Sequence, residues 1–256
     1  MAEPVEIACM IYLRAALPLL KDFLEERPDI AQKFEGWNCA IQFEVKEHEF
    51  LASHILFTDG KLDVVKGRHD NPLLNFRFKS PEQMKAMFSG GAAVPWIKGM
   101  HHVGVLLKVL LNLLFKLMLL QPDKKPKTEE LKKLKVKLML YLVPYAMREL
   151  LRGGDPDALK ETEHMPLRIF EMGVEDGPFS HFIIQEGKLK PGRGIFGKRK
   201  PFVKMTFFDY DTALEVLTLK KDFVLAINEG TMEIAGPSDY YKRVGNLMMR
   251  VNTLVN

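Results

Sequence analysis

Three sets of residues in this chain have types and spacings that could do chemistry. The run Gly192-Arg-Gly-Ile-Phe-Gly-Lys-Arg-Lys200 sets Gly192, Gly194 and Gly197 in GxGxxG spacing and follows them with Lys198, Arg199 and Lys200. Between a strand and a helix, such glycines let backbone N–H groups and a helix N-terminus approach a pyrophosphate. Here the following segment alternates Phe202, Lys204 and Thr206 against Val203, Met205 and Phe207. It reads as a strand, which denies the dinucleotide site its helix and leaves a basic strand connection.

The second set is histidine. His54 and His181 stand at matching places in two similar segments, but no Ser, Cys or carboxylate recurs beside both to make a base and its orienter, so a hairpin-edge role is expected. His101 and His102 are adjacent and point to different sides of a helix, which speaks against joint metal ligation. The third set is acidic: Asp209 and Asp211 precede a short helical pattern and read as its cap and first-turn charge. Cys9 and Cys39 lack a partner at ligand spacing and read as structural thiols. No catalytic residue, metal or cofactor is assigned, and the chain is expected not to be an enzyme.

The elements that hold these residues come from 256 residues with 47% apolar content, enough for one large or two ordinary domains. A formal charge of +4 is too small for a dedicated nucleic-acid binder and allows only a local basic surface. The opening MAEPVEIACM has no basic start or cleavage site, and the end, Thr253 to Asn256, is unlike a peroxisomal address. With two cysteines, a cytoplasmic setting is expected. Residues 103–120 approach the length of a membrane span, but Lys108, Asn112 and Lys116 share one face. A central Lys costs roughly 2.5 to 3.5 kcal/mol to insert. An amphipathic helix covering a core, a ligand or a membrane surface is expected instead.

Repetition organises the rest. His54-Ile-Leu-Phe-Thr-Asp-Gly-Lys-Leu62 matches His181-Phe-Ile-Ile-Gln-Glu-Gly-Lys-Leu189, and Pro72 to Phe78 matches Pro201 to Phe207. Both copies read as hairpins whose Gly supplies positive φ. Short helices follow at Pro81–Phe88, capped by Ser80, and at Asp211–Thr218. The second copy has about 12 additional residues before its final helix. In the first copy Pro95 interrupts Gly91 to Gly99, so one edge strand is expected to be lost there. Strand clusters with helices alongside give an α+β fold. The expected division is a first unit over 1–120, a connector with an amphipathic helix over 121–160, bent near Pro144, and a second unit over 161–256.

The stretch Glu229-Gly-Thr-Met-Glu-Ile-Ala-Gly236, running into Ser238-Asp-Tyr-Tyr-Lys-Arg-Val-Gly-Asn-Leu247, resembles the end of a sterol carrier protein 2 domain, where a strand between glycines leads into a lipid-covering helix. The resemblance spans roughly 167 to 255, and the first unit, roughly 38 to 120, shares it through the repeat. It implies a tandem pair of mixed sheets covered by helices, holding a sterol, fatty acyl chain, acyl-CoA or phospholipid in an apolar cavity. Spacing then nominates the wall: Phe207, Leu214, Leu217, Val224, Ile227, Met232, Ile234, Val244, Leu247 and Met248 in the second unit, with Phe76, Phe78, Met84, Met87, Phe88, Trp96, Leu106 and Leu110 in the first. Lys198, Arg199 and Lys200 would face an anionic headgroup, a CoA phosphate or a membrane surface, or else be a solvated loop. An enzyme or accessory acting on a lipid, and a peripheral membrane protein, are the alternatives.

Overall fold

The structure, a computed structural model, describes residues 1–255 and divides into two units, each with its own sheet. The N-terminal unit comprises residues 3–121 with Val255, and the C-terminal unit residues 1–2 and 122–254.

The N-terminal unit opens with α1 (Pro4–Ile11), a wider turn at Tyr12–Ala16, α2 (Leu19–Glu26) and the short α3 (Pro28–Ala31). Pro4 sits in the first turn, where its missing N–H costs nothing. Sequence reading did not identify these helices. Ile7 through Leu13 are buried without a break, so no polar face exposes the helical period.

Five strands follow: β1 (Cys39–Val45), β2 (His48–Thr58), β3 (Lys61–Lys66), β4 (Leu74–Phe78) and β5 (Trp96–Lys98), in the order β3-β2-β1-β4-β5. β1 runs parallel to β4 and every other pairing is antiparallel. Between β4 and β5 lies α4 (Pro81–Phe88), at the bounds expected, with Ser80 Oγ accepting the Gln83 N–H. The edge strand expected to be missing is present. Pro95 stands just before β5, so its lack of a donor removes no ladder bond, and Trp96, Ile97 and Lys98 pair with Arg77, Phe76 and Asn75. The unit's last helical stretch is α5 (Val103–Val109), a wider turn at Leu110–Leu114, and α6 (Phe115–Leu117).

The C-terminal unit begins with α7 (Glu129–Gly153), which carries Pro144 within it and packs on strands and a helix of that unit, followed by α8 (Pro156–Thr162). Its strands are β6 (Arg168–Val174), β7 (Phe179–Gln185), β8 (Lys188–Arg193), β9 (Val203–Phe207) and β10 (Met232–Ala235). The helices α9 (Tyr210–Leu217) and α10 (Phe223–Asn228) precede β10, and α11 (Ser238–Val255) closes the chain. The order β10-β9-β6-β7-β8, with β6 parallel to β9, repeats the strand order of the first sheet. Two mixed sheets packed against helices make the chain α+β. Between short helix and edge strand the second copy is the longer: 218–231 contains α10, where the first unit has only the loop 89–95.

Candidate functional site

A cavity of about 520 Å³ opens in the N-terminal unit. Its floor is aromatic. Phe76 on β4 stacks on Phe43 at 4.9 Å between ring centroids, and Phe88 at the end of α4 stacks on Tyr12 at 5.1 Å. Both Phe76 and Phe88 line the space, together with Met87 and with Ile97 from β5. One wall is the loop Gly90 to Pro95. Gly91 turns so tightly after α4 that a Cβ there would lie 2.8 Å from the Ala86 carbonyl oxygen, and Gln83 Nε2 holds the loop by donating to Val94 O at 2.9 Å. The opposite wall is helical: Leu110, Leu114, Leu117 and Met118 recur on one face, with Phe115 beside them. Val94 and Phe115 line the cavity and are also largely exposed, which sets its mouth between them.

Of the residues nominated from sequence, the cavity gathers Phe76, Met87, Phe88 and Leu110. Phe78 and Met84 are fully buried behind it, Leu106 is half-buried one turn before it, and Trp96 is exposed beneath the Arg77 guanidinium, 5.6 Å from the ring centre. In the C-terminal unit Phe207, Leu217, Met232, Val244, Leu247 and Met248 are buried, Leu214, Ile227 and Ile234 are half-buried, and Val224 is half exposed; none lines this cavity. Sequence reasoning missed the Gly90–Val94 wall and Leu114, Leu117 and Met118. The last three continue the helical period from Leu110 and were accessible to it.

Chemically, the wall offers no acid, base or nucleophile: every lining residue is apolar or Gly. Nearby, burial and the Glu82 charge push the Cys9 thiol up to about 12, and its Sγ contacts Pro81 O at 3.2 Å, so it stays protonated. Burial likewise raises Cys39, which lines a separate polar cleft of about 450 Å³ with Lys98, His101 and His102. Among the described residues no three His, Cys, Asp or Glu side chains gather as a metal site.

The paired histidines have a defined task. His54 Nδ1 contacts Gly67 O at 3.0 Å and His181 Nδ1 contacts Gly194 O at 2.9 Å. A carbonyl only accepts, so Nδ1 carries the proton in both rings. Two residues past each glycine, the backbone N–H of His69 donates to buried Gln42 and that of Phe196 to buried Glu171. Each loop is thus strapped to its sheet by the same two bonds. Gly192 lies under the His181 ring, where a Cβ would meet Nε2 at 2.1 Å, and Gly194 takes φ +72°. The glycine run serves loop geometry, and Lys198, Arg199 and Lys200 stand exposed on that strapped loop of the C-terminal unit. Asp209 caps α9, accepting the Thr212 N–H at 2.7 Å, and Asp211 pairs with Lys132 at 2.6 Å.

No protein-family model matches this sequence, and no curated protein matches it. Solved structures do. Sterol carrier protein 2 like 2 from Aedes aegypti is 17% identical, with a TM-score of 0.30 over 43% of this chain and 96% of that one. Sterol carrier protein 2 from Yarrowia lipolytica, in its apo form, is 12% identical, with a TM-score of 0.30 over 45% and 91%. A stereoselective inverting sec-alkylsulfatase from Pseudomonas sp. is 14% identical, with a TM-score of 0.29 over 64% of this chain and 31% of the enzyme. Likenesses at this level assign neither a family nor an activity to the chain.

Proposed function

We propose that this chain is a non-enzymatic lipid-binding protein that holds a fatty acyl chain or a similarly apolar lipid in the cavity of its N-terminal unit. The observation that carries this is a cavity of about 520 Å³ whose lining residues are all apolar or Gly. That volume falls within the roughly 300 to 1,000 Å³ of small-molecule sites. Met87 and Met118 add unbranched side chains able to follow a flexible ligand. An enzyme acting on the same lipid would need a titratable group in the wall, and the wall has none.

The energetics ask for length and apolar surface, not for a reactive group. Burying about 16 methylenes at roughly 0.8 kcal/mol each gives a gross term near 13 kcal/mol, from which roughly 4 to 15 kcal/mol of association cost is subtracted. Affinity should therefore climb about fourfold per methylene until the wall is filled. Displacement of a fluorescent fatty acid by saturated acids of about 8 to about 18 carbons measures this directly. A rising then levelling series is expected. No binding, or no dependence on length, would refute the reading.

A further inference from the structure

The helical stretch 103–120 presents an apolar stripe to solvent. Its polar positions stay at the surface: Lys108 and Lys116 are exposed and Asn112 is half-buried, with Lys33 Nζ donating to Asn112 Oδ1 at 2.8 Å and Lys108 Nζ 5.7 Å from the centre of the Trp37 ring. Beside them, four apolar residues also face solvent. Val103, Leu107, Leu111 and Phe115 recur every fourth position and are 57, 50, 54 and 53% exposed. Met100, just after the edge strand, is also more than half exposed, whereas Trp96 faces the other side of the sheet with Arg77. A soluble surface seldom leaves such a stripe uncovered without a partner for it.

The charges around it identify the partner. From residue 83 to residue 122 the chain has no Asp or Glu, while Lys85, Lys98, Lys108, Lys116, His101 and His102 fall within that span. Lys116 is exposed beside the stripe. An exposed apolar stripe on a segment whose only charges are cationic is complementary to the interface of an anionic bilayer, where apolar residues reach the acyl boundary and cations meet lipid phosphates. By length and composition 103–120 would suffice to cross a membrane, but Val109 and Leu113 are fully buried in the unit, which favours a helix seated on the protein. Phe115 belongs both to the stripe and to the cavity mouth.

We infer that Val103, Leu107, Leu111 and Phe115 form a docking face for an anionic lipid bilayer, on which the cavity mouth meets the membrane. Only the transfer of lipid between bilayer and cavity rests on the lipid-binding reading; docking does not. The test is co-sedimentation of the full chain with vesicles of phosphatidylcholine, alone or mixed with phosphatidylglycerol. The expected results are partitioning that favours the anionic vesicles, a fall of at least about tenfold in the Leu107→Asp, Leu111→Asp double variant, and a fall of roughly fivefold for Lys116→Gln on anionic vesicles only. The double variant should keep its affinity for soluble fatty acid. Should it misfold, the wild type alone still decides: failure of the unsubstituted chain to partition to anionic vesicles would overturn the inference. So would unchanged partitioning of a folded double variant, or a dimer dissolved by the same substitutions in a protein that never binds vesicles. Vesicle binding without soluble fatty-acid binding would sustain the docking face and refute the cavity's proposed ligand.

Discussion

Leu114→Asp places a carboxylate in the cavity wall at a position that is only half-buried, so in the unliganded protein water can still reach it. A bound acyl chain takes that water away. The effective cost of stripping an ionised carboxylate of solvent with no partner is several kcal/mol. Taking about 3 kcal/mol as a low value, fatty-acid affinity should fall by more than about a hundredfold. No cation among the lining residues is available to repay it. The assay is fluorescent fatty-acid displacement on protein shown to be folded by circular dichroism. Leu111→Asp is the control: it lies on the same stretch but faces solvent, and should leave soluble-ligand affinity within about twofold. Equal loss in both variants, or a folded Leu114→Asp protein with wild-type affinity, would refute the assignment of the cavity as the site.

Two predictions concern the C-terminal unit. Gly192→Ala drives a methyl into the His181 ring and should cost on the order of 1 to 3 kcal/mol in urea denaturation. His181→Ala in the same chain should recover part of that loss; additive effects would contradict the contact. Lys135 is fully buried and donates to Lys124 O at 2.7 Å; burial, with the charge of Lys220, lowers its pKa to about 8 from the ordinary 10.5. Between those values the unfolded chain binds more protons than the folded one, so this group makes stability rise with pH, by on the order of 3 kcal/mol in all. Lys135→Met should therefore be more stable than wild type at pH 7, by about 1 to 3 kcal/mol, with the advantage shrinking toward pH 10. An advantage that urea midpoints show to be constant over that range would contradict it.

Much of the fold was legible because its signals are local. The alternation Val203, Met205, Phe207 marks β9, and Ser80 ahead of Pro81 marks the start of α4. The helix α1 was not legible, since burial on every side erases its period. The cavity was legible in part. Phe76, Met87, Phe88 and Leu110 stand on elements with clear faces, whereas Gly90 to Val94 have small side chains and no period, and form a wall only because the chain folds back after α4. The shared face of Lys108, Asn112 and Lys116 was visible and its lysines are exposed, but its contacts with Trp37 and Lys33 come from distant segments. The histidine repeat was visible, but its partners were not: Gly67 and Gly194 sit in loops with little common sequence.

Methionine methyl groups offer the most direct test of the lipid-binding account. Met87 and Met118 line the cavity, while Met232 and Met248 are buried in the C-terminal unit. In protein carrying ¹³C-methyl methionine, titration with palmitate should shift the Met87 and Met118 resonances and give contacts from both to the acyl chain. Shifts confined to Met232 and Met248, or none at all, would contradict the proposed site.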